Sequence, residues 1–433
     1  ITISAAAVQE ARALGDDHLL AEALVLHGRN TIGRDEATGR PELEEAMTVA
    51  ARVHDAESEA SAAYYLLAAA AEAGDAARAN TLIPSARAAI ARAGHTRYEA
   101  DELESEAFVL MSSGKIDDGL AICDRLEKLE PDNKRGHVTE CRCTANLFGE
   151  RYDAAQAPCA ADLAHNETTY GKDHVYTAVA LANLSILDWH LGRYDDGLAA
   201  DQRALAIYRA AYGDSSRIAD LLSDVAEYMV HLKRYDEALA DVKEAIAMLE
   251  RLGGPPSDSI PIARSALGKI LGKLGRHDEA IAELEQAVAA FEKLSGDEGH
   301  ALPQTLGQLG RAYLDAERPK EALATFERAH ALALKSFGPD GQDTVFFDAD
   351  EAMALLALHR PADALPRAQD ALAHAAAAHV GGEDLAYLEV ALGKALLATG
   401  HRARARTILT DALGLYRTAG SKESIAEVEG LLR

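Results

Sequence analysis

Aromatic and β-branched side chains are scarce in this sequence. Aromatic residues make up only 5% of the 433 residues, with a single Trp, and long β-branched runs are absent. Sandwiches and barrels depend on such side chains, so a sheet architecture is excluded. Hydrophobic residues nevertheless form 48% of the chain, mostly as Ala and Leu. Small apolar side chains suit closely packed helices, and the composition therefore indicates an all-α fold.

Basic residues are in the minority. The chain has 44 Lys and Arg against 70 Asp and Glu, a formal net charge of −26. A field of this sign repels phosphate backbones, so we expect no nucleic-acid partner. No apolar run reaches the ~18 residues of a membrane-spanning helix, so we expect no membrane partner. The negative charge either favours basic or neutral partners or only keeps an acidic surface hydrated.

Cysteine is also rare, with Cys123, Cys141, Cys143 and Cys159 as the four copies. Their spacing matches neither a disulfide framework nor a zinc motif. Cys141 and Cys143 are two residues apart on a predicted helix and therefore point in different directions. We expect four reduced thiols, a cytoplasmic location, no metal and no cofactor.

Catalytic motifs are missing. The sequence contains no phosphate-binding loop of the Gly-x4-Gly-Lys-Ser/Thr type, no His-Glu-x2-His, no Gly-x-Ser-x-Gly and none of the protein-kinase motifs. The sixteen His residues are scattered, which favours surface or capping roles. We therefore predict that the chain is not an enzyme, and that any enzymatic domain would lie outside these residues.

One short phrase returns about every 42 residues. It reads LGRYDDG at 191–197, LKRYDEA at 232–238 and LGRHDEA at 274–280, with weaker copies at 316–322 and 358–364. A fixed period of this size indicates a stack of helical hairpins, in which each unit buries its apolar face against its neighbours.

The pattern inside each period resembles the tetratricopeptide repeat (TPR). Residues 306–313 read Leu-x2-Leu-Gly-x2-Tyr, and residues 322–329 read Ala-x3-Phe-x2-Ala. The long period is similar to the kinesin-light-chain variety of this repeat, and the Ala-rich phrases resemble arrays attached to bacterial serine/threonine kinases. The resemblance implies an α-solenoid, a right-handed superhelix of about ten hairpins closed by a C-terminal capping helix.

The repeats suggest four segments. Residues 1–18 read as the second helix of a truncated upstream repeat, which predicts that the natural protein continues upstream. Residues 19–135 form divergent TPR-like repeats, and 136–420 form the regular array with a period of about 42 residues. Residues 421–433 read as one amphipathic capping helix.

In this family the first helices of the hairpins line a concave groove that holds peptides. Aligning the repeats by their turn phrases places one polar row on each first helix, with members three, four or seven residues apart. The resemblance implies that the peptide-binding residues are Asn183, Ile186, Trp189, His190, Asp224, Glu227, His231, Lys269, Lys273, Gln304, Gln308, Arg311 and Asp315.

Three features of this set leave alternatives open. Trp189 is either an anchor for a partner side chain or a spacer between first helices. Lys269, Lys273 and Arg311 form either a basic spot for a carboxylate or ion pairs with nearby acids. His190 and the equivalent histidine of the next repeat, at position 231, are placed to stack. The family's two-carboxylate clamp of Lys and Asn is not reproduced.

These observations favour a non-catalytic scaffold that binds a peptide or protein segment in the concave groove. One alternative is a regulatory or sensor region of a larger bacterial serine/threonine kinase or other signalling protein. Another is a self-associating structural scaffold, a homo-oligomer joined through Ala-rich outer helices such as 371–378.

Overall fold

The computed structural model describes residues 2–32, 36–94, 98–134, 136–253, 257–295 and 301–433. Within these ranges every regular element is an α-helix, so the predicted all-α fold is confirmed. The chain divides into two compact units, residues 1–211 (unit 1) and 212–433 (unit 2), which are described separately. None of the described helices combines the length and the apolarity that crossing a membrane would require.

Unit 1 is built from consecutive helices, and each helix from α1 to α9 packs on the next. We call the first helix of each hairpin its A helix and the second its B helix. From α2 onward the even-numbered helices are A helices. The helices are α1 (Thr2–Leu14), α2 (Asp17–Thr31), α3 (Glu36–Val53), α4 (Ala56–Glu72), α5 (Ala76–Arg92), α6 (Tyr98–Ser112), α7 (Ile116–Leu129), α8 (His137–Phe148), α9 (Tyr152–Thr169), α10 (Val175–His190) and α11 (Tyr194–Tyr212).

Unit 2 repeats the same arrangement, and its A helices also pack on one another. Its helices are α12 (Ser216–His231), α13 (Tyr235–Leu252), α14 (Ser259–Lys273), α15 (His277–Ser295), α16 (Ala301–Asp315), α17 (Pro319–Phe337), α18 (Gln342–Ala357), α19 (Pro361–His374), α20 (Gly382–Ala398), α21 (Arg402–Ala419) and α22 (Lys422–Leu432). In the described residues α2 to α21 thus form ten hairpins, flanked by α1 and α22.

The Gly of the repeat pattern marks where two helices of a hairpin approach most closely. Gly310 on α16 faces Phe326 on α17, whose ring is fully buried. A Cβ atom on Gly310 would collide with that ring, and a Cβ on Gly268 of α14 would lie 2.5 Å from Leu284 Cγ on α15, the second helix of the same hairpin. Interiors are close-packed, so the missing side chain of one helix makes room for the large side chain of the other.

The turn phrase has a repeated structure as well. Its second residue adopts positive φ, as in Gly192 at +69° and Gly275 at +73°, which is the conformation that glycine accepts most easily. In the copy at 274–280 the Arg that follows pairs with the acid three residues later, with Arg276 Nη2 2.6 Å from Glu279 Oε2. The same pair recurs in the phrases that begin at residues 232, 316 and 358. Acids at this position also face the positive end of the new helix.

The expectation of four reduced thiols is wrong. Cys123 on α7 is bonded to Cys141 on α8, and Cys143 on α8 is bonded to Cys159 on α9. Cys141 and Cys143 point in different directions, as predicted, and each of them meets a partner on a different neighbouring helix. The two disulfides therefore link three consecutive helices of unit 1.

Candidate functional site

The predicted row on α10 lies in unit 1 and is partly exposed. Ile186 is 49% exposed, and Asn183 and His190 also reach solvent. The ring of His190 stacks on Tyr152 at a centroid distance of 4.2 Å. Three members of the row therefore lie where a partner can reach them, and one of them has an aromatic neighbour.

Trp189 is placed differently from the rest of this row. Its side chain is half-buried, and the indole meets Tyr194 edge-on with the centroids 5.6 Å apart. Tyr194 is the first residue of α11, the second helix of the same hairpin. The indole thus packs against its own hairpin, an arrangement that neither sequence interpretation described.

On α12 the predicted row is acidic. Asp224 and His231 are exposed, and Glu227 is half-buried. Desolvation among the packed helices, together with the charges of Asp220 and Glu227, raises the pKa of Asp224 to about 6. The pKa of His231 is lowered, first by burial and then by the charge of Lys269. Both shifts reduce the charge that this row carries near neutral pH.

The row on α14 is connected to the row on α12. Lys269 Nζ lies 2.5 Å from Glu227 Oε2, a residue 42 positions earlier and thus one repeat away. Lys273 is exposed one turn further along. Lys269 therefore enters an ion pair, as one of the two sequence interpretations proposed.

The four predicted residues on α16 share one exposed face. Gln304 donates a hydrogen bond to Asp343 Oδ2 at 3.4 Å, and Gln308 accepts one from Ser265 Oγ at 2.9 Å. Asp315 is exposed at the end of the helix. Each glutamine is thus tied to a neighbouring A helix, which holds its side chain in place.

Arg311 belongs to a network that sequence reasoning missed. Its Nη2 atom lies 2.7 Å from Oδ2 of the buried Asp350 on α18, and the Tyr387 hydroxyl on α20 donates a hydrogen bond to Oδ1 of the same carboxylate. The charge of Asp350 raises the pKa of Arg311 against the lowering effect of desolvation. Asp350 lies 39 residues after Arg311, at a position that falls outside the turn-phrase register, so no local signal identified it.

Two charged side chains on the A-helix face of unit 2 reach solvent and are nevertheless partly desolvated. The Arg311 side chain is 49% exposed, and Asp224 is exposed as well, yet desolvation shifts the pKa of both. A side chain that reaches water and is still desolvated is surrounded by protein on several sides.

Two apolar residues extend this face. Phe346 and Met353 on α18 are half-buried, and the Phe346 ring lies 6.3 Å from that of Tyr387. Met353 follows Arg311 by 42 positions, the same interval that separates Lys269 from its partner on α12. The register could have identified Met353, but an apolar residue on an A helix reads as core from sequence alone.

A second cluster on the other side of α18 contains metal-type ligands. The donor atoms of His330, Asp348 and Glu351 lie within 4.8 Å of one another. Arg367 already contacts both carboxylates, with Nη1 3.3 Å from Asp348 and Nε 3.0 Å from Glu351. The pKa of His330 is raised, chiefly by its hydrogen bond to Glu351. The two acids thus face two cationic groups, which is the pattern of a structural ion-pair network.

The comparisons with known proteins agree with this architecture. A family model described as tetratricopeptide repeat matches residues 185–251 and 259–335. No curated protein sequence matches the chain. Among solved structures, the apo form of RapI is similar with a TM-score of 0.59 at 11% identity, over 86% of this chain and 96% of RapI.

Two further structures share the fold. The apo form of the quorum sensor NprR from B. thuringiensis has a TM-score of 0.53 at 15% identity, over 77% of this chain and 92% of NprR. The third is a Signal Transduction ATPase with Numerous Domains from Pyrococcus horikoshii, described as carrying a tetratricopeptide repeat sensor. It has a TM-score of 0.59 at 12% identity, over 81% of this chain and 52% of the ATPase. The family model thus identifies tetratricopeptide repeats at residues 185–251 and 259–335, and the solved structures share the fold of repeated helical hairpins.

Proposed function

We propose that this chain is a non-catalytic scaffold that binds a peptide or protein segment on the A-helix face of unit 2. The supporting observation is the chain of polar contacts between successive A helices, which holds exposed side chains in place. Lys269 is held by Glu227, Gln308 by Ser265, and Arg311 by an acid on α18. Preorganised groups lose little side-chain entropy when a ligand binds, which favours affinity.

The chemistry of this face suits an extended segment with mixed side chains. The amides of Gln304 and Gln308 are able to bond a peptide backbone, which has one donor and one acceptor for most residues. Phe346 and Tyr387 offer an aromatic wall for one apolar anchor. The excess of acids in the whole chain speeds association with basic segments.

Selection from a library of displayed twelve-residue peptides tests this function. The expected result is enrichment of peptides whose affinity falls at least tenfold in Arg311→Ala and Gln308→Ala. Matched controls are Arg328→Ala and Gln286→Ala on the B helices, because Arg328 is also ion-paired and Gln286 also makes a hydrogen bond. Failure to enrich any peptide, or equal losses in all four variants, contradicts the proposal.

We make a separate proposal for the cellular compartment of this chain. The cytoplasmic location predicted from sequence rested on free thiols, and two disulfides argue against it, since such bonds persist mainly in oxidising compartments. An oxidising compartment is the location that these crosslinks favour. The sensor role in a larger signalling protein and the self-associating scaffold stay as predictions, tested by the parent reading frame and by light scattering.

A further inference from the structure

Unit 1 gathers five carboxyl groups around one imidazole. His137 Nε2 lies 3.1 Å from Asp101 Oδ1 and 3.9 Å from Glu104 Oε2, and Nδ1 lies 2.9 Å from Glu130 Oε2. These groups come from α6, α8, α9 and the residue that follows α7. We call this set the acidic cluster: Asp101, Glu104, Glu130, His137, Glu140 and Asp162.

Three carboxyl groups of the cluster repel one another. The pKa of Asp162 is raised to about 7, first by burial and then by the charge of Glu140. The pKa of Glu104 is raised well above its usual range by the same two causes. Burial also raises the pKa of Glu140 itself. Burial alone would lower the pKa of His137, but its hydrogen bond to Asp101 and the charge of Glu104 raise it to about 9. The cluster therefore favours positive charge.

Two oxygen atoms of the cluster have no hydrogen-bond donor in the described part of the chain. Asp162 is only 1% exposed, and its Oδ1 accepts from Asn166 Nδ2 at 3.1 Å, but its Oδ2 is buried without a partner. Oε1 of Glu104 is also buried without a hydrogen-bond partner. A buried oxygen without a donor is costly, so these atoms point to a ligand that brings N–H groups.

A group of aromatic rings between α9 and α10 lies within electrostatic reach of this cluster. Tyr170, His174 and Tyr176 form a group with ring centroids 4.9 to 5.1 Å apart. Tyr176 is 53% exposed, and its pKa is raised by burial, by Tyr170 and then by three carboxylates of the cluster. The phenol is thus within electrostatic reach of the acids. An exposed aromatic face next to carboxylates attracts a cation through both the ring and the charge.

The disulfides hold the cluster together. Cys141 directly follows Glu140 on α8, and Cys159 precedes Asp162 by one turn on α9. The bonds of Cys141 to α7 and of Cys143 to Cys159 tie these helices to one another. The covalent links therefore oppose the repulsion between Glu140 and Asp162, and these two carboxyl groups stay close when no cation is bound.

The spacing of the donor atoms selects the kind of cation. Within the described residues, the metal-like grouping with all donors within 4.8 Å is the one around His330, and the acidic cluster does not have that spacing. A guanidinium group has five N–H donors spread over a plane and also stacks on aromatic faces, so it suits acceptors that are further apart.

We propose that the acidic cluster and the aromatic group of Tyr170, His174 and Tyr176 bind a guanidinium group, supplied by an arginine side chain of the partner. The inference rests on the proposed function, in that it assumes a peptide or protein ligand, and it adds the chemical class of one ligand residue. Glu104 and Asp162 would accept hydrogen bonds through their unpartnered oxygens, and Tyr176 would cover the face of the guanidinium.

Calorimetric titration of the full, disulfide-intact chain with N-acetyl-arginine amide tests this site. The neutral isostere N-acetyl-citrulline amide, N-acetyl-lysine amide and calcium chloride are the comparison probes. We expect binding of the arginine probe with release of protons, measured in two buffers of different ionisation enthalpy, because a cation favours the charged carboxylates. We also expect at least tenfold weaker binding in Glu140→Gln and Tyr176→Leu.

The control variant is Glu389→Gln in unit 2. Burial raises the pKa of Glu389 to about 7, and its Oε2 is also buried without a partner, but it lies outside the cluster. Equal binding of the citrulline or lysine probe, binding of calcium in place of arginine, or no binding of any probe overturns the proposal. Because the probes are single residues and the variants lie in unit 1, this result is independent of the peptide selection on unit 2.

Discussion

At the scale of single residues, a few positions carry steric requirements that no other residue type meets. Gly310 leaves room for the buried Phe326 ring, and Gly393 does the same for Leu409 on α21, where an added Cβ would lie 2.5 Å from Cδ2. Gly414 also lies inside a helix but has no atom within 4 Å of an added Cβ. The same residue type is therefore required at the first two positions and not at the third.

We predict that Gly310→Ala lowers the free energy of unfolding by ~1–3 kcal/mol, because the added methyl group overpacks the contact with Phe326. Gly414→Ala should raise it by ~0.5–1 kcal/mol, since alanine costs less backbone entropy in an exposed helix. Urea unfolding followed by circular dichroism measures both values. Equal effects of the two substitutions would show that the helices do not approach as closely as described.

At the scale of elements, α7, α8 and α9 differ from the other helices because they are covalently linked. Each disulfide closes a short segment, with sequence separations of 18 and 16 residues. Elsewhere in the described residues neighbouring helices are held by apolar packing and by ion pairs such as that between Arg264 and Glu283 at 2.5 Å. The three linked helices are also those that carry much of the acidic cluster.

We predict that replacing Cys143 and Cys159 together by Ser lowers the free energy of unfolding by ~3 kcal/mol, the chain-entropy value for a loop of this length. Thiol titration of the denatured, unreduced protein should detect no free thiol, and four after reduction. Trapping of thiols in intact cells with a maleimide extends the test to the native compartment. Four reactive thiols in the unreduced protein would contradict both the disulfides and the oxidising compartment.

At the scale of the whole molecule, the excess of acids governs the response to pH. The chain has 70 Asp and Glu for 44 Lys and Arg. Acids on the surface are hydrated, whereas those of the acidic cluster are brought together by folding. The native state therefore holds protons on these carboxyl groups at a pH where the unfolded chain has already released them.

We predict that stability falls as pH rises from about 4 to 7. An unfolded Asp releases its proton near ~3.9, while Asp162 keeps it until about pH 7 because of burial and Glu140. The raised pKa values of Glu104 and Glu140 act in the same direction, while the hydrogen bond from Asn166 opposes the shift of Asp162.

His137 extends the fall toward higher pH. Its pKa of about 9 means that its stabilisation is complete below its unfolded value of ~6.5 and is lost as pH rises through 9. Asp162→Asn should remove part of the slope between pH 4 and 7 and stabilise the protein at pH 7.5 by on the order of a few kcal/mol. Urea unfolding at pH 5 and 7.5 measures this, with the exposed Asp195→Asn as control. A slope that Asp162→Asn leaves unchanged would refute the prediction.

The hairpins were predictable because their information is local. Helical periodicity, the Gly opposite Phe326 and the positive-φ turn residue all depend on neighbours within one repeat, and the repetition itself multiplied the signal. The exposed rows on α12, α14 and α16 followed from the same register. Their role in binding stays a proposal, since register shows where a side chain lies but not what it binds.

What only the tertiary structure decided is which side chains meet across different helices. The partners Cys123 and Cys141, Arg311 and Asp350, and the carboxyl groups around His137 come from separate helices. Their contact depends on how one helix is rotated and shifted against the next, which is set by the packing of many side chains together. The amino-acid order by itself determined that this protein is a stack of helical hairpins, while packing between helices decided its crosslinks and its charged sites.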